Sequence, residues 1–230
     1  MKKCILEFAG SFGYLLLGSI VQLFIFQFFL FSSLILKMAL VSLGYALFYA
    51  IIYIFCNRKH HVEINPIFSF ALWLKNQMGT KQFILTVLSQ ILSGILCGII
   101  LFTIFPSQIS DLALGYGEFS MFHSTLDSII WIEALFSFIF VFIFFMLNEK
   151  SKNEMLCGVI LGILFFFLLF FSIPYTCGSV NPIRAFISNP FVNSDYLRQL
   201  WIYVLSPLAG ALFSTIIYHV YSQISNNVSQ

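Results

Sequence analysis

Two short stretches decide how this chain is read: His61–Pro66 (HVEINP) and Cys177–Phe186 (CGSVNPIRAF). Each holds an Asn followed by Pro and then Ile, at Asn65-Pro66-Ile67 and at Asn181-Pro182-Ile183. Asn is a favoured helix N-cap because its side-chain oxygen accepts from an orphaned backbone N–H. Pro suits the first helical position, where its missing N–H leaves nothing unpaired. The pattern predicts a helix of about ten residues from Asn65-Pro66 to near Lys75, and a shorter one from Asn181-Pro182 closed by Pro190. At about 1.5 Å per residue, such a piece reaches only about half-way through a ~30 Å hydrocarbon core.

The surrounding composition supplies that core. Of 230 residues, 60% are hydrophobic and 9% charged, with thirty Phe and ten Tyr; the mean hydropathy is +0.97. Globular chains run roughly 45–50% apolar and about 25% charged, so a water-soluble domain, a disordered chain and a fibrous protein are all excluded. A net charge of +2 is too small for a nucleic-acid footprint. Five cysteines (Cys4, Cys56, Cys97, Cys157, Cys177) form no C-x-x-C pair and read as small hydrophobes.

Six runs are long enough to cross a bilayer: Ile5–Leu30, Met38–Cys56, Phe83–Phe105, Ser128–Leu147, Met155–Ile173 and Leu200–Tyr221. The first is too long for the apolar region of a secretory signal and stays as a span. With the N-terminus inside, the cytoplasmic side collects Lys2, Lys3, Arg58, Lys59, Lys75, Lys81, Lys150 and Lys152, against Lys37 and Arg198 outside. That bias places both termini in the cytoplasm. The tail Ser222–Gln230 is polar and expected to be disordered, and its sequon Asn227-Val228-Ser229 is expected to be unused.

The chain also repeats itself. Glu7 opens the first span and Glu133 the fourth, each well ahead of one Asn-Pro segment. Each half reads as span, span, half-helix, span: residues 1–105 and 128–221 of a single domain, 1–230. Three spans per copy is an odd number, so the second copy is inverted, and inverted repeats with paired short segments point to a site at the midplane. There the two half-helix N-termini face each other, each carrying about half a unit of positive charge. They repel cations, while two Asn amides still offer hydrogen bonds to neutral solutes.

These residues resemble the aquaporin (major intrinsic protein) family. The likeness runs from Glu7 to Tyr218, supported by Gln90 and by Trp201–Leu212 (WIYVLSPLAGAL). It implies an all-α membrane fold of six helices and two re-entrant half-helices, one pore per subunit and a homotetramer. Carried over by position, Asn65 and Asn181 are the pore asparagines, and Glu7 and Glu133 brace the half-helix loops. Tyr45, Leu169, Gly178 and Arg184 form the outer selectivity constriction.

This chain departs from the family in several places. Ile67 and Ile183 stand where Ala is usual, so larger side chains must be absorbed where the half-helices meet. Leu169 replaces the imidazole of strict water channels, and Ala185 replaces the acid of glycerol channels, so the constriction is expected to be atypical and less polar. Glu63 stands where His is usual. It is either a carboxylate at the cytoplasmic mouth or an exposed loop residue pairing with Arg58 or Lys59. Cys177, four residues before Asn181, is a candidate site for thiol block.

The expected function is a passive channel for water, with glycerol, ammonia and hydrogen peroxide as further neutral solutes. The alternative is a non-conducting or structural member of the same fold. An enzyme is not expected, because His123 and His219 lie at opposite ends and no cluster of titratable groups converges. No catalytic residue, metal ligand set or cofactor is implied. No targeting motif separates a plasma-membrane from an intracellular location.

Overall fold

The computed structural model describes residues 2–29, 32–57, 60–151 and 153–228, with side chains of 119 and 226–228 left undescribed. Arg58, Lys59 and Lys152, expected on the cytoplasmic side, lie outside the described residues, as do Leu30 and Ser229. Among the described residues ten helical elements follow one another: α1 (Lys2–Phe28), α2 (Leu34–Asn57), α3 (Pro66–Leu74), α4 (Thr80–Ile104), two 3-10 turns (Ile109–Leu112, Gly117–Phe119), α5 (Leu126–Lys150), α6 (Glu154–Thr176), α7 (Pro182–Val192) and α8 (Ser194–Val228). Among the described residues six helices, α1, α2, α4, α5, α6 and α8, are long and apolar enough to cross a membrane. Their outer faces carry large apolar side chains such as Phe55, Trp131 and Ile35. Helices apolar all round are stable with lipid as the outer solvent.

Each Asn-Pro starts a helix for the local reason given above. Asn65 Oδ1 accepts from Ile67 N at 3.2 Å and Asn181 Oδ1 from Ile183 N at 3.0 Å, with Pro at the first turn in both. The expectation that Pro190 closes the second half-helix is corrected. α7 runs through Pro190 to Val192 and is the longer of the two, 11 residues against 9. A Pro this close to a helix end removes a single backbone bond near carbonyls that are unpaired anyway. The chain then re-enters a helix almost at once, because Asn193 Oδ1 accepts from Asp195 N and Tyr196 N. α8 therefore starts at Ser194, ahead of the expected Leu200. The disordered tail is likewise corrected: α8 continues through Ser222 to Val228.

The extra bulk of Ile183 is absorbed by a glycine. A Cβ on Gly94 of α4 would collide with Ile183 Cγ2, and one on Gly98 with the carbonyl of Ile187. The Gly94-x-x-x-Gly98 stripe thus lets α7 lie directly on α4, the close approach that small residues permit between membrane helices. Gly158 and Gly162 do the same for α6 against Ile54 and Ala50 of α2.

Candidate functional site

The loops ahead of the two half-helices share one construction. Glu7 accepts from the backbone N–H of Glu63 (2.8 Å) and Ile64 (2.9 Å), and also from Gln90 Nε2 (2.8 Å). Glu133 accepts from Ser179 N (3.2 Å) and Val180 N (2.9 Å). Both carboxylates are fully buried. The residues they hold, Ile64 and Val180, are β-branched yet sit at φ 48° and 50°. Side chains branched at Cβ rarely adopt this left-handed region, and it persists only where surrounding contacts over-determine it. Each glutamate supplies those contacts.

The two half-helix ends meet. Asn65 Nδ2 donates to the carbonyl of Val180 at 3.1 Å, across to the opposite loop. The Asn181 amide takes a different partner, donating to the hydroxyl of Tyr14 on α1.

Toward the outer side, Arg184 lies over the ring of Tyr45, with Cζ 4.1 Å from the centroid, a cation–π contact strengthened by burial. Tyr45 is fixed in turn by a 2.9 Å hydrogen bond between its hydroxyl and Ser19 Oγ, and its ring rests on Gly18, where any Cβ would collide with it. Arg184 Nη2 donates to Gln22 Oε1 at 3.3 Å. Leu169 is buried on α6. Gly178 has φ 72°, and a Cβ there would press on Ile173 Cγ1 at 2.7 Å. Its missing side chain is thus demanded by the backbone and by α6 as much as by any opening. Cys177 caps α6 in the left-handed conformation, its thiol 3.7 Å from the Gly115 carbonyl.

Two cavities flank this centre. The one on the Arg184 side, about 230 Å³, is bounded by Gln22, Lys37, Asp111, Ile173 and Cys177; desolvation raises the Asp111 carboxyl above its ordinary value. The other, about 290 Å³, is bounded by Lys3, Asn57, His61, Glu63 and Glu154. Near the Tyr14–Asn181 contact, four rings from four helices pack together: Tyr14 on Tyr49 (5.6 Å), and Tyr49 on Phe140 (5.9 Å) and Phe165 (5.2 Å). All four are fully buried. Sequence reasoning missed Tyr14, Tyr49, Phe140, Phe165 and Gln22. The available signal was the repeat itself, since Tyr14 stands seven residues after Glu7 and Phe140 seven after Glu133.

The family model for the major intrinsic proteins matches residues 1–218. The chain belongs to the major intrinsic protein family. Among curated relatives, Aquaporin Z of Photorhabdus laumondii is 27% identical over 165 residues, covering 69% of this chain and 71% of that protein. Glycerol uptake facilitator protein-like 6 of Lactiplantibacillus plantarum is 25% identical over 221 residues, covering 93% and 95%. The aquaglyceroporin structure from Plasmodium falciparum superposes with a TM-score of 0.79 at 15% identity over 94% of both chains, which shows a shared fold. As a major intrinsic protein the chain is an integral, multi-pass membrane channel, and the members of this family are channels and not enzymes.

Of the two readings of Glu63, at the usual His position of the family, the exposed loop residue is corrected: the side chain is buried and bounds the cavity that Lys3 also lines. It is 3% exposed and pairs with Lys3 Nζ at 2.8 Å, while the expected partners Arg58 and Lys59 lie outside the described residues. α1 thus clamps the loop ahead of α3 twice, with Glu7 on its backbone and Lys3 on its side chain. Lys3 is partly exposed and Glu63 is buried, so removing Lys3 leaves a buried carboxyl without its partner and costs about 1–3 kcal/mol. Lys3→Met is therefore expected to lower the melting temperature in detergent, and adding Glu63→Gln to restore most of it. Simple additivity of the two losses in a double-mutant cycle would rule out the coupling.

Proposed function

We propose that this protein conducts water and small neutral solutes passively, as a homotetramer with both termini in the cytoplasm. The meeting of two Asn-capped half-helix ends beside a buried Arg184 carries this reading. Two positive helix ends and a guanidinium oppose cations, while Asn65, Asn181 and Arg184 replace the hydrogen bonds a neutral solute gives up on leaving water. Leu169 in place of an imidazole, and Ala185 after Arg184, favour a mixed specificity in which glycerol, ammonia and hydrogen peroxide accompany water.

Stopped-flow osmotic shrinkage of proteoliposomes tests the proposal. Water permeability above that of empty liposomes supports it, and equality for both water and glycerol overturns it. Leu169→His replaces an apolar side chain with a ring N–H donor, so the water-to-glycerol ratio should rise several-fold; an unchanged ratio would remove Leu169 from the constriction. A second reading, a non-conducting member of the fold, is favoured by the four packed rings and the Tyr14–Asn181 contact. Equal flux from wild-type and empty vesicles, with flux gained in a folded Tyr14→Ala protein, would support it.

A further inference from the structure

A guanidinium carries five N–H donors on a long flexible stem, and in this site only part of that capacity is committed. Arg184 is 3% exposed, its face lies on Tyr45, and Nη2 donates to Gln22. Nη1 is buried with no protein partner. Gln22 sits on α1, one turn after Ser19, the residue that fixes Tyr45. Residues three apart share a helix face, so one face of α1 holds both the guanidinium and the ring beneath it. Gln22 has a second bond: its Nε2 donates to the Asp111 carbonyl at 2.6 Å, in the first 3-10 turn of the outer loop. Its two amide atoms therefore have different duties, the oxygen toward Arg184 and the nitrogen toward the loop.

We propose that Gln22 is the positioning residue of the constriction. Its amide locks the Arg184 guanidinium onto Tyr45, reserves Nη1 as the donor for a passing neutral solute, and couples that orientation to the outer loop through the Asp111 carbonyl. α1 supplies the polar hold in a chain whose α6 offers Leu169. The role in specificity rests on the channel reading, whereas the positioning of Arg184 does not.

Two variants separate the duties. Gln22→Met keeps the length and volume of the side chain and removes both hydrogen bonds; Gln22→Glu keeps an acceptor for Arg184. Purified full-length protein in lipid vesicles is treated with phenylglyoxal, and modification of Arg184 is followed by peptide mass spectrometry against exposed Arg198 in the same sample. Gln22→Met is expected to speed Arg184 modification about fivefold or more and to lower the water-to-glycerol permeability ratio about threefold. Gln22→Glu is expected to keep wild-type protection. Arg184 labelling in Gln22→Met within about twofold of wild type, or equal acceleration in both variants, overturns the proposal. If wild-type vesicles carry no flux, the channel reading fails and the labelling still decides the role of Gln22.

Discussion

Tyr14→Ala is expected to raise the osmotic water permeability of proteoliposomes about tenfold over wild type. The Tyr14 hydroxyl occupies the Asn181 amide, one of the donors a passing solute would use. Its ring stands edge-on to Tyr49, 5.6 Å between centroids, and Tyr49 contacts Phe140 and Phe165 in turn. Truncation to Ala frees the donor and opens space beside three apolar rings. Tyr14→Phe frees the donor alone, so a gain of only about twofold there would assign the larger effect to bulk. The cavity costs about 3–5 kcal/mol, so melting temperature is measured alongside flux to show that a folded channel is being compared. Flux unchanged in a folded Tyr14→Ala protein would mean that the four rings do not limit passage.

The same residue shows where sequence reading stops. Asn65 and Asn181 were legible because capping is local: the side chain bonds the N–H two residues on, and Pro beside it has its own positional meaning. Glu7 and Glu133 were legible through the repeat. Tyr14, Tyr49, Phe140 and Phe165 lie in spans rich in aromatic residues on every face, and in lipid an inward ring and an outward ring look alike in sequence. Gln22 reaches Arg184 across 162 positions of chain, a pairing no local pattern announces. Ile183 reads as too large in the sequence, yet its fit against Gly94 appears only when α7 is laid on α4. One of the two readings of Glu63 makes it an exposed loop residue paired with its sequence neighbours; a lysine 60 positions upstream lets it be buried. Pro190 was taken as a stop, but the cost of a Pro falls sharply where the helix is about to end.

Glu133→Leu should lower the melting temperature by about 10 °C, and Glu7→Leu by more. Losing Glu133 takes the carboxylate acceptors from the buried N–H groups of Ser179 and Val180, and each stranded donor costs about 1–3 kcal/mol. For a chain of this size, about 4 kcal/mol in total corresponds to about 10 °C. Glu7 carries the same two backbone bonds and the Gln90 amide besides, so its loss also removes one of the two acceptors of Gln90 Nε2, leaving Ser69 Oγ at 3.2 Å. The backbone adds a separate contribution, because Val180 and Ile64 are held at positive φ only while the carboxylate keeps their N–H groups in place. That contribution can be isolated. Glycine accepts φ near 50° without steric cost, while the packing lost with the buried Val180 side chain is the same in either background; referenced to the same substitution in wild type, Val180→Gly in the Glu133→Leu background should therefore recover about 1 kcal/mol, whereas Ser179→Gly should recover nothing. A Glu133→Leu protein melting within about 2 °C of wild type would show that the loop is held by α7 and Asn181 alone. Equal rescue by the two glycines would remove backbone strain from the account and leave the two lost hydrogen bonds to explain the whole effect.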